Sequence, residues 1–358
     1  MSGREKILIC PLNWGLGHAS RCIPIIRILE KNDYNVFLAA SGNAYYLLEE
    51  TFPHLPIFRF EDYNITYTKG KNLTRKIFFQ TPGIFLKIFR EHRRLKKLIR
   101  ELEIDLVISD NRFGLWNKKT KTVYITHQVR IKAPGDNRII EQILFKIHGY
   151  FIRKFNICWV PDFAEDFKMA GSLSGNDKLP GNAQYIGTLS RFSKPQKEIT
   201  KDFDLCVLLS GPEPQRSIFE EIILAQLKRS DYKAVVLLGQ PSEHLKTIID
   251  GRIHIFSSLL PDEIQNYILR SEVVLARSGY SNIMDLATLG SKAILVPTPG
   301  QTEQEYLANY LSEKNIYYTV TQENFKLDVA MDLVKTTTGI LKSNPADHLE
   351  KVILDSIT

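Results

Sequence analysis

The sequence predicts a two-domain α/β protein, each half a parallel β-sheet covered by helices. Three observations carry that expectation. Short apolar runs alternate with longer amphipathic segments, and the runs are apolar through their length, as strands covered on both faces are. The alternation restarts after residue 200. The chain has 358 residues, more than one hydrophobic core usually serves.

In the first half, KILICPL (6–12) reads as a strand. Residues 18–31 follow as a helix, with Ile23, Ile26 and Leu29 at helical spacing. YNVFLAAS (34–41), IDLVISD (104–110), TVYITH (122–127) and NICWVPD (156–162) are further strands. In the second half, DLCVLLSG (204–211) is a strand ending in glycine, and a helix at about 215–229 follows it. AVVLLG (234–239), IHIFSS (253–258), VVLARSG (273–279) and AILVPT (293–298) complete that sheet. The expected domains are 1–180 and 200–358, with the boundary in the polar, Gly/Pro-bearing stretch 171–202. QYIG (184–187) either ends the first half or begins the linker, and the last helix can pack back on the N-terminal domain.

Residues 63–103 break the pattern. Phe85, Ile88, Phe89, Leu95, Leu98, Ile99 and Leu102 mark one helical face, complemented by Lys87, Arg90, Arg93, Arg94, Lys96, Lys97 and Arg100. Such a helix either packs on the core with a solvated basic face or contacts an anionic membrane or acidic acceptor. The preceding IFF (77–79) and GIFLKIF (83–89) would supply shallow apolar insertion. No apolar run reaches the roughly eighteen residues of a spanning helix. The N-terminus MSGREKILICPLNWG lacks the apolar core of a signal peptide. A cytoplasmic location is expected, with contact at the inner face of the cell membrane. Cys10, Cys22, Cys158 and Cys206 form no CxxC pair and read as buried thiols. A formal charge of +7 suits an anionic partner without choosing one.

Four strand-to-helix turns carry chemistry. In NWGLGHASR (13–21), glycines let backbone approach a ligand, and His18 sits at the carboxyl end of a strand, where open α/β sheets bind ligands. His18 is the preferred base or diphosphate contact; Asp110, ending IDLVISD, points to the same cleft edge and rivals it. In ARSGYSNIMD (276–285), small polar residues and helix amides suit a phosphate, and Asp285 suits ribose hydroxyls. The alternative is that Ser278 is an N-cap and Asp285 a solvated helix residue. In PTPGQTEQEYLAN (297–309), Gln304 and Glu305 either bond sugar hydroxyls or belong to a helix cap. SGPEPQR (210–216) is a weaker glycine loop. HExxH, Cys/His clusters, DxD and GxSxG are absent, so neither a metal nor a cofactor is expected. No nucleic-acid-binding signature accompanies the charge.

At these segments the sequence resembles glycosyltransferase family 28, the MurG-like enzymes. The resemblance is strongest over 276–309 and extends to GLGH (15–18), THQ (126–128), IGT (186–188) and SGPEP (210–214). It implies a GT-B fold, two Rossmann-like domains with parallel sheets facing a central cleft, and a UDP-sugar donor held mainly by the C-terminal domain. It places Asp285 on the uridine ribose and Ser278 and Gly279 in the diphosphate turn. Gly17, Ser210, Gly211, Arg277, Tyr280 and Ser281 are taken as donor-side neighbours. Gln304 and Glu305 fall on the sugar, and His18 and His127 on family histidines near the reacting centre. The chain departs from the family in Asp285, usually glutamate, and in Pro212 and Pro214, which remove amide donors. GLGHASRC (15–22) also resembles the UDP-sugar hydrolase of pseudaminic acid synthesis. The expected activity is inverting, metal-independent transfer to a lipid-linked or glycan acceptor. The alternatives are a UDP-sugar hydrolase and a non-catalytic sugar-nucleotide-binding or membrane-associated protein.

Overall fold

A computed structural model describes the chain except residues 1–3, 62–72, 134–136, 166, 176–178, 198, 241–245, 250, 341, 343 and 346. The side chains of 73–82, 84, 85 and 246–249 are also outside the described set.

The first sheet is built from β1 (Lys6–Pro11), β2 (Asn35–Ala40), β3 (Ile57–Arg59), β4 (Leu106–Asp110), β5 (Lys121–Ile125), β6 (Ile157–Val160) and β7 (Ala183–Tyr185). Its order is β3-β2-β1-β4-β5-β6-β7, and every pairing is parallel. The second sheet uses β8 (Phe203–Leu208), β9 (Ala234–Leu237), β10 (Lys246–Ile249), β11 (Ile253–Phe256), β12 (Ser271–Ala276), β13 (Lys292–Leu295) and β14 (Tyr318–Thr319). Its order is β10-β11-β9-β8-β12-β13-β14. Only β10 runs antiparallel to its neighbour. Without β10 the second sheet repeats the order of the first six strands of the first sheet, so the restart seen in the sequence is a repeat of topology. QYIG thus ends the first half: β7 pairs with β6, beyond residue 180.

In each sheet the chain reverses its winding beside the first strand, between β1 and β4 and between β8 and β12. Open α/β sheets bind ligands at the carboxyl ends of such strands. Helix α1 (Gly17–Lys31) leaves β1 at this point, α5 (Gln215–Leu227) leaves β8, α7 (Tyr280–Leu289) leaves β12 and α8 (Thr302–Glu313) leaves β13. None of the four has an N-cap side-chain bond, but in α5 the Arg216 and Ser217 amides already donate to the Pro212 carbonyl and Glu213 Oε2.

The two domains pack directly together. A buried apolar cluster includes Ile7, Ile9 and Ile23 of the first domain and Ile283, Met284 and Leu307 of the second. Tyr306 Oη accepts from the Ser172 N–H at 2.8 Å, and Tyr310 Oη donates to the Lys168 carbonyl at 2.8 Å. The last helix, α10 (His348–Ile357), lies on the first domain: Lys31 Nζ donates to Glu350 at 2.6 Å and Trp159 Nε1 to Ser356 Oγ at 3.1 Å. Gly239 follows β9 with φ +69°, and a Cβ there would collide with the Leu209 carbonyl. Only glycine fits that approach between the β8 and β9 ends.

Helix α3 (Leu73–Leu102) takes the long basic segment, with α4 (Arg138–Ile152) after β5. Leu95 is buried, and Leu98, Ile99 and Leu102 pack beside it. Phe89, expected on this packing face, is instead 54 % exposed. A buried ion pair anchors the helix: Arg112 Nε donates to Glu91 Oε1 at 2.6 Å, and the Gly114 N–H donates to Glu91 Oε2 at 2.8 Å. Deleting one partner strands the other charge in the core. Arg112→Ala is expected to destabilise the chain by about 3–5 kcal/mol in urea unfolding. A change below about 1 kcal/mol would show that Glu91 does not depend on Arg112.

Candidate active site

The switch point of the first sheet holds a compact ionic cluster. β1 feeds the glycine turn into α1, which carries His18 in its first turn and Arg21 one turn on, while β4 ends on Asp110. Arg21 Nε donates to Asp110 Oδ2 at 2.6 Å, and Arg21 Nη2 donates to Asp110 Oδ1. His18 Nδ1 lies 3.0 Å from Asp110 Oδ1. Asp110 is sealed from solvent, whereas the His18 side chain keeps 12 % of its surface. Burial alone would raise the Asp110 pKa, but Arg21 and His18 more than offset it and hold the carboxyl down to about 2. Asp110 is thus held ionised, with its oxygens engaged by Arg21 and His18. Its geometry suits it to orient His18: Nδ1–H donates to the carboxylate, and Nε2 keeps its lone pair.

The cluster continues into the other domain. Arg21 Nη1 lies 2.9 Å from His127 Nδ1, and His127 Nε2 lies 2.7 Å from Glu303 Oε1 in the first turn of α8. Gln128 Nε2 donates to Glu303 Oε2. Burial lowers the His127 pKa, partly countered by Glu303. A neutral His127 accepts from Arg21 at Nδ1 and donates from Nε2 to Glu303. Its ring stacks on Tyr280 at 4.4 Å. Arg21 and Glu303 lie inside segments quoted above, yet neither drew a role there. The available signals were a basic residue one turn after His18 and a carboxylate in a helix first turn.

The C-terminal residues divide differently from expectation. Asp285 is buried: Ser190 Oγ donates to Oδ1 at 2.7 Å and Arg191 Nε to Oδ2 at 3.0 Å. Both oxygens thus accept from the interdomain linker. Arg277 is also internal, donating to the Pro297 carbonyl at 3.2 Å, the Gln215 carbonyl at 2.9 Å and Gln322 Oε1 at 2.6 Å. It clamps loops and does not face a donor. Ser278 Oγ donates to the Gln304 carbonyl at 2.8 Å, and the Tyr280 hydroxyl to the Pro161 carbonyl at 2.7 Å. Gln304 Oε1 accepts from the Thr298 N–H and Glu305 Oε1 from the Gly300 N–H, each at 2.9 Å. These two side chains close the loop before α8, with Gln304 buried and Glu305 exposed.

What remains at the cleft is backbone and small residues. Gly279 precedes α7, leaving the Tyr280 and Ser281 amides at an uncapped helix start. Ser281 Oγ donates to the Gly17 carbonyl at 2.9 Å, and a Cβ on Gly17 would stand 3.0 Å from that hydroxyl. The starts of α1 and α7 thus touch across the cleft. After β8, Ser210 leads to Gly211 at φ +107°, where a Cβ would stand 3.7 Å from Thr298 Oγ1. That hydroxyl is buried without a hydrogen-bond partner. Among the described residues, no three His, Cys, Asp or Glu side chains are grouped to hold a metal ion.

Residues 217–351 match the glycosyltransferase family 28 C-terminal domain. The matched segment lies within the second domain. Over 328 residues the chain is 23 % identical to an uncharacterized glycosyltransferase of Methanosarcina acetivorans, covering 86 % of this chain and 84 % of that protein. Over 356 residues it is 22 % identical to the UDP-N-acetylglucosamine--N-acetylmuramyl-(pentapeptide) pyrophosphoryl-undecaprenol N-acetylglucosamine transferase of Histophilus somni, covering 94 % and 90 %. The crystal structure of Acinetobacter baumannii MurG matches with a TM-score of 0.55 at 12 % identity over 99 % of each chain. The architecture is GT-B, with the domain that carries this match facing the His18 cluster.

The Asp110 carboxyl carries a signed pH dependence. Its folded pKa is depressed, so its stabilisation is present above the unfolded value of 3.8 and is lost as pH falls toward about 2. The gap in urea midpoint between wild type and Asp110→Asn is expected to be widest above pH 4 and to narrow on acidification. A gap that widens toward acid would show that Asp110 is not held ionised.

Proposed function

We propose that the chain is an inverting glycosyltransferase that moves a sugar from a UDP-sugar to a hydroxyl of a lipid-linked acceptor. The observation that carries this is the His18–Asp110 pair at one switch point, set against the uncapped helix starts of a family 28 domain. His18 Nε2 takes the acceptor O–H proton while the oxygen attacks the anomeric carbon. The bond from that carbon to the diphosphate breaks, and UDP leaves from the opposite face. The growing negative charge is met by the Tyr280 and Ser281 amides, with Ser210, Gly211 and Thr298 lining the same side. No cation is required in this scheme, because helix termini take that role. Pro214 precedes α5, which leaves α7 the better anion site.

His18→Ala is expected to lower turnover by at least roughly 10²-fold while UDP affinity stays within about threefold. Turnover should survive exhaustive chelation. Kinetics on UDP-sugars and calorimetry with UDP check both. Near-normal turnover of the variant, or recovery only with added Mg²⁺ or Mn²⁺, would contradict the scheme. UDP-sugar consumption without any acceptor would make water the nucleophile.

A membrane-bound acceptor is supported by the first domain's surface. Arg90, Arg93, Arg94, Lys96 and Lys97 are exposed on α3. On α4, Ile139 (72 %), Ile143 (52 %), Ile147 (45 %) and Tyr150 (56 %) form an exposed stripe at helical spacing. The two helices adjoin: His92 of α3 stacks on Trp116 at 4.1 Å, and Lys154, just after α4, lies 4.5 Å from the same ring. A basic face beside an apolar one suits an anionic leaflet, with about 1 kcal/mol per charge near the surface. Among the described residues no helix is long and apolar enough to cross a membrane, so contact would be peripheral. Of the apolar segments 77–79 and 83–89, the first lies outside the described side chains, whereas Leu86 and Phe89 of the second are exposed beside the basic face; α4 adds a second apolar element.

Co-sedimentation with anionic vesicles tests this. Replacing Arg93, Arg94, Lys96 and Lys97 with glutamine is expected to abolish the salt-sensitive part of binding. Replacing Ile139, Ile143 and Ile147 with serine should abolish the salt-resistant part. A protein that ignores such vesicles at low salt, and glycosylates a soluble acceptor as well as a lipid-linked one, would refute the lipid-acceptor reading.

A further inference from the structure

We propose that Arg21 is a positioning residue for His18: its guanidinium keeps Asp110 an acceptor, which fixes His18 in the tautomer that leaves Nε2 unprotonated. This rests on the reading of His18 as the base.

Two groups reach His18 Nδ1. Asp110 Oδ1 stands at 3.0 Å and Arg21 Nη2 also at 3.0 Å. A neutral imidazole nitrogen either donates to a carboxylate or accepts from a guanidinium; it does not do both. If Nδ1 donates to Asp110, Nε2 holds the lone pair and faces its task as base. If Nδ1 accepts from Arg21, Nε2 carries the proton and cannot take another from an acceptor. Which arrangement holds depends on where the Arg21 hydrogens go. Nε–H is committed to Asp110 Oδ2 at 2.6 Å, and Nη2 bonds Oδ1 of the same carboxylate. Nη1 lies 2.9 Å from His127 Nδ1. Three of the five guanidinium hydrogens are thus placed on one carboxylate and one histidine, and for Nη2 the charged Asp110 oxygen is a stronger acceptor than a neutral imidazole nitrogen. One consistent assignment follows along the row. Glu303 accepts from His127 Nε2–H, His127 Nδ1 accepts from Arg21, Arg21 donates twice to Asp110, and Asp110 accepts from His18 Nδ1–H.

The consequence of losing Arg21 follows from the burial of Asp110. Without the guanidinium the sealed carboxylate gains a proton instead of standing as a lone charge. A protonated Asp110 donates to Nδ1 and drives His18 to the Nε2–H form. Lysine would keep the charge but not the planar fork that grips both carboxylate oxygens. Arg21 thus acts on the reaction without touching the substrate.

The test is ring ¹⁵N NMR of the full chain near neutral pH, with His18 assigned among the eight histidines by the signals lost in His18→Ala. Wild type is expected to show His18 protonated at Nδ1. Arg21→Gln should show the Nε2–H form. Arg21→Lys, which retains the buried charge and so the fold, should show a mixture. On the same samples, Arg21→Lys should lower kcat by at least about tenfold with UDP affinity within about threefold. An Nε2–H tautomer in wild type, or a pure Nδ1–H tautomer with normal kcat in Arg21→Lys, would overturn the proposal; the second outcome decides it even if Arg21→Gln does not fold. A parallel loss of UDP affinity and kcat would make Arg21 a donor ligand instead. If wild type turns over no UDP-sugar yet the tautomer follows Arg21 as expected, the transferase reading fails and the positioning role stands.

Discussion

The buried pair between Arg21 and Asp110 is the constraint on which the rest of the site depends. Two opposite charges stand at the carboxyl edge of the first sheet with almost no solvent contact. Neither is tolerable there alone, and together they need a geometry in which the fork meets both carboxylate oxygens. α1 meets this need because His18 and Arg21 are three residues apart and so share one helix face. β4 meets it because its last residue is the acid. The result is an orienting acid for His18 that is itself held still.

The opposite wall works by other means. The second domain brings few free side chains to the cleft, because Arg277, Ser278, Gln304 and Asp285 are spent on holding loops, helix starts and the linker together. It presents backbone: the start of α7 after Gly279, and the turn at Ser210 and Gly211. Such a wall suits a diphosphate, which needs fixed donors and no proton transfer. The wall with titratable groups suits the acceptor, whose proton must move. This division of labour matches the division of the chain into two sheets of the same order.

Much of this architecture was legible in the sequence because buried parallel strands are apolar throughout. Ten of the strands were visible that way, whereas β3 and β14, at 3 and 2 residues, are too short to display a period. β7 was ambiguous for the same reason and is settled by its pairing with β6. At the site, His18 and Asp110 were readable from their place at strand ends. Arg21 was not, because a helical arginine ordinarily reads as solvated, and only the acid from a strand 89 residues away draws it inside. The partners of Asp285, Gln304 and Glu305 were not legible, because a motif shows which residue stands at a position and not which groups meet its polar atoms. Residues 190–191, which occupy Asp285, lie in a linker with no motif of its own.

The proposed reaction requires the second domain and the His18 cluster to form one centre across the cleft. A crystal structure with UDP and an acceptor analogue tests it most directly. The account places the diphosphate oxygens about 3 Å from the Tyr280 and Ser281 amides, with His18 Nε2 toward the acceptor hydroxyl and Nδ1 still on Asp110. A diphosphate bound away from α7, or a His18 turned from the acceptor hydroxyl, would contradict it.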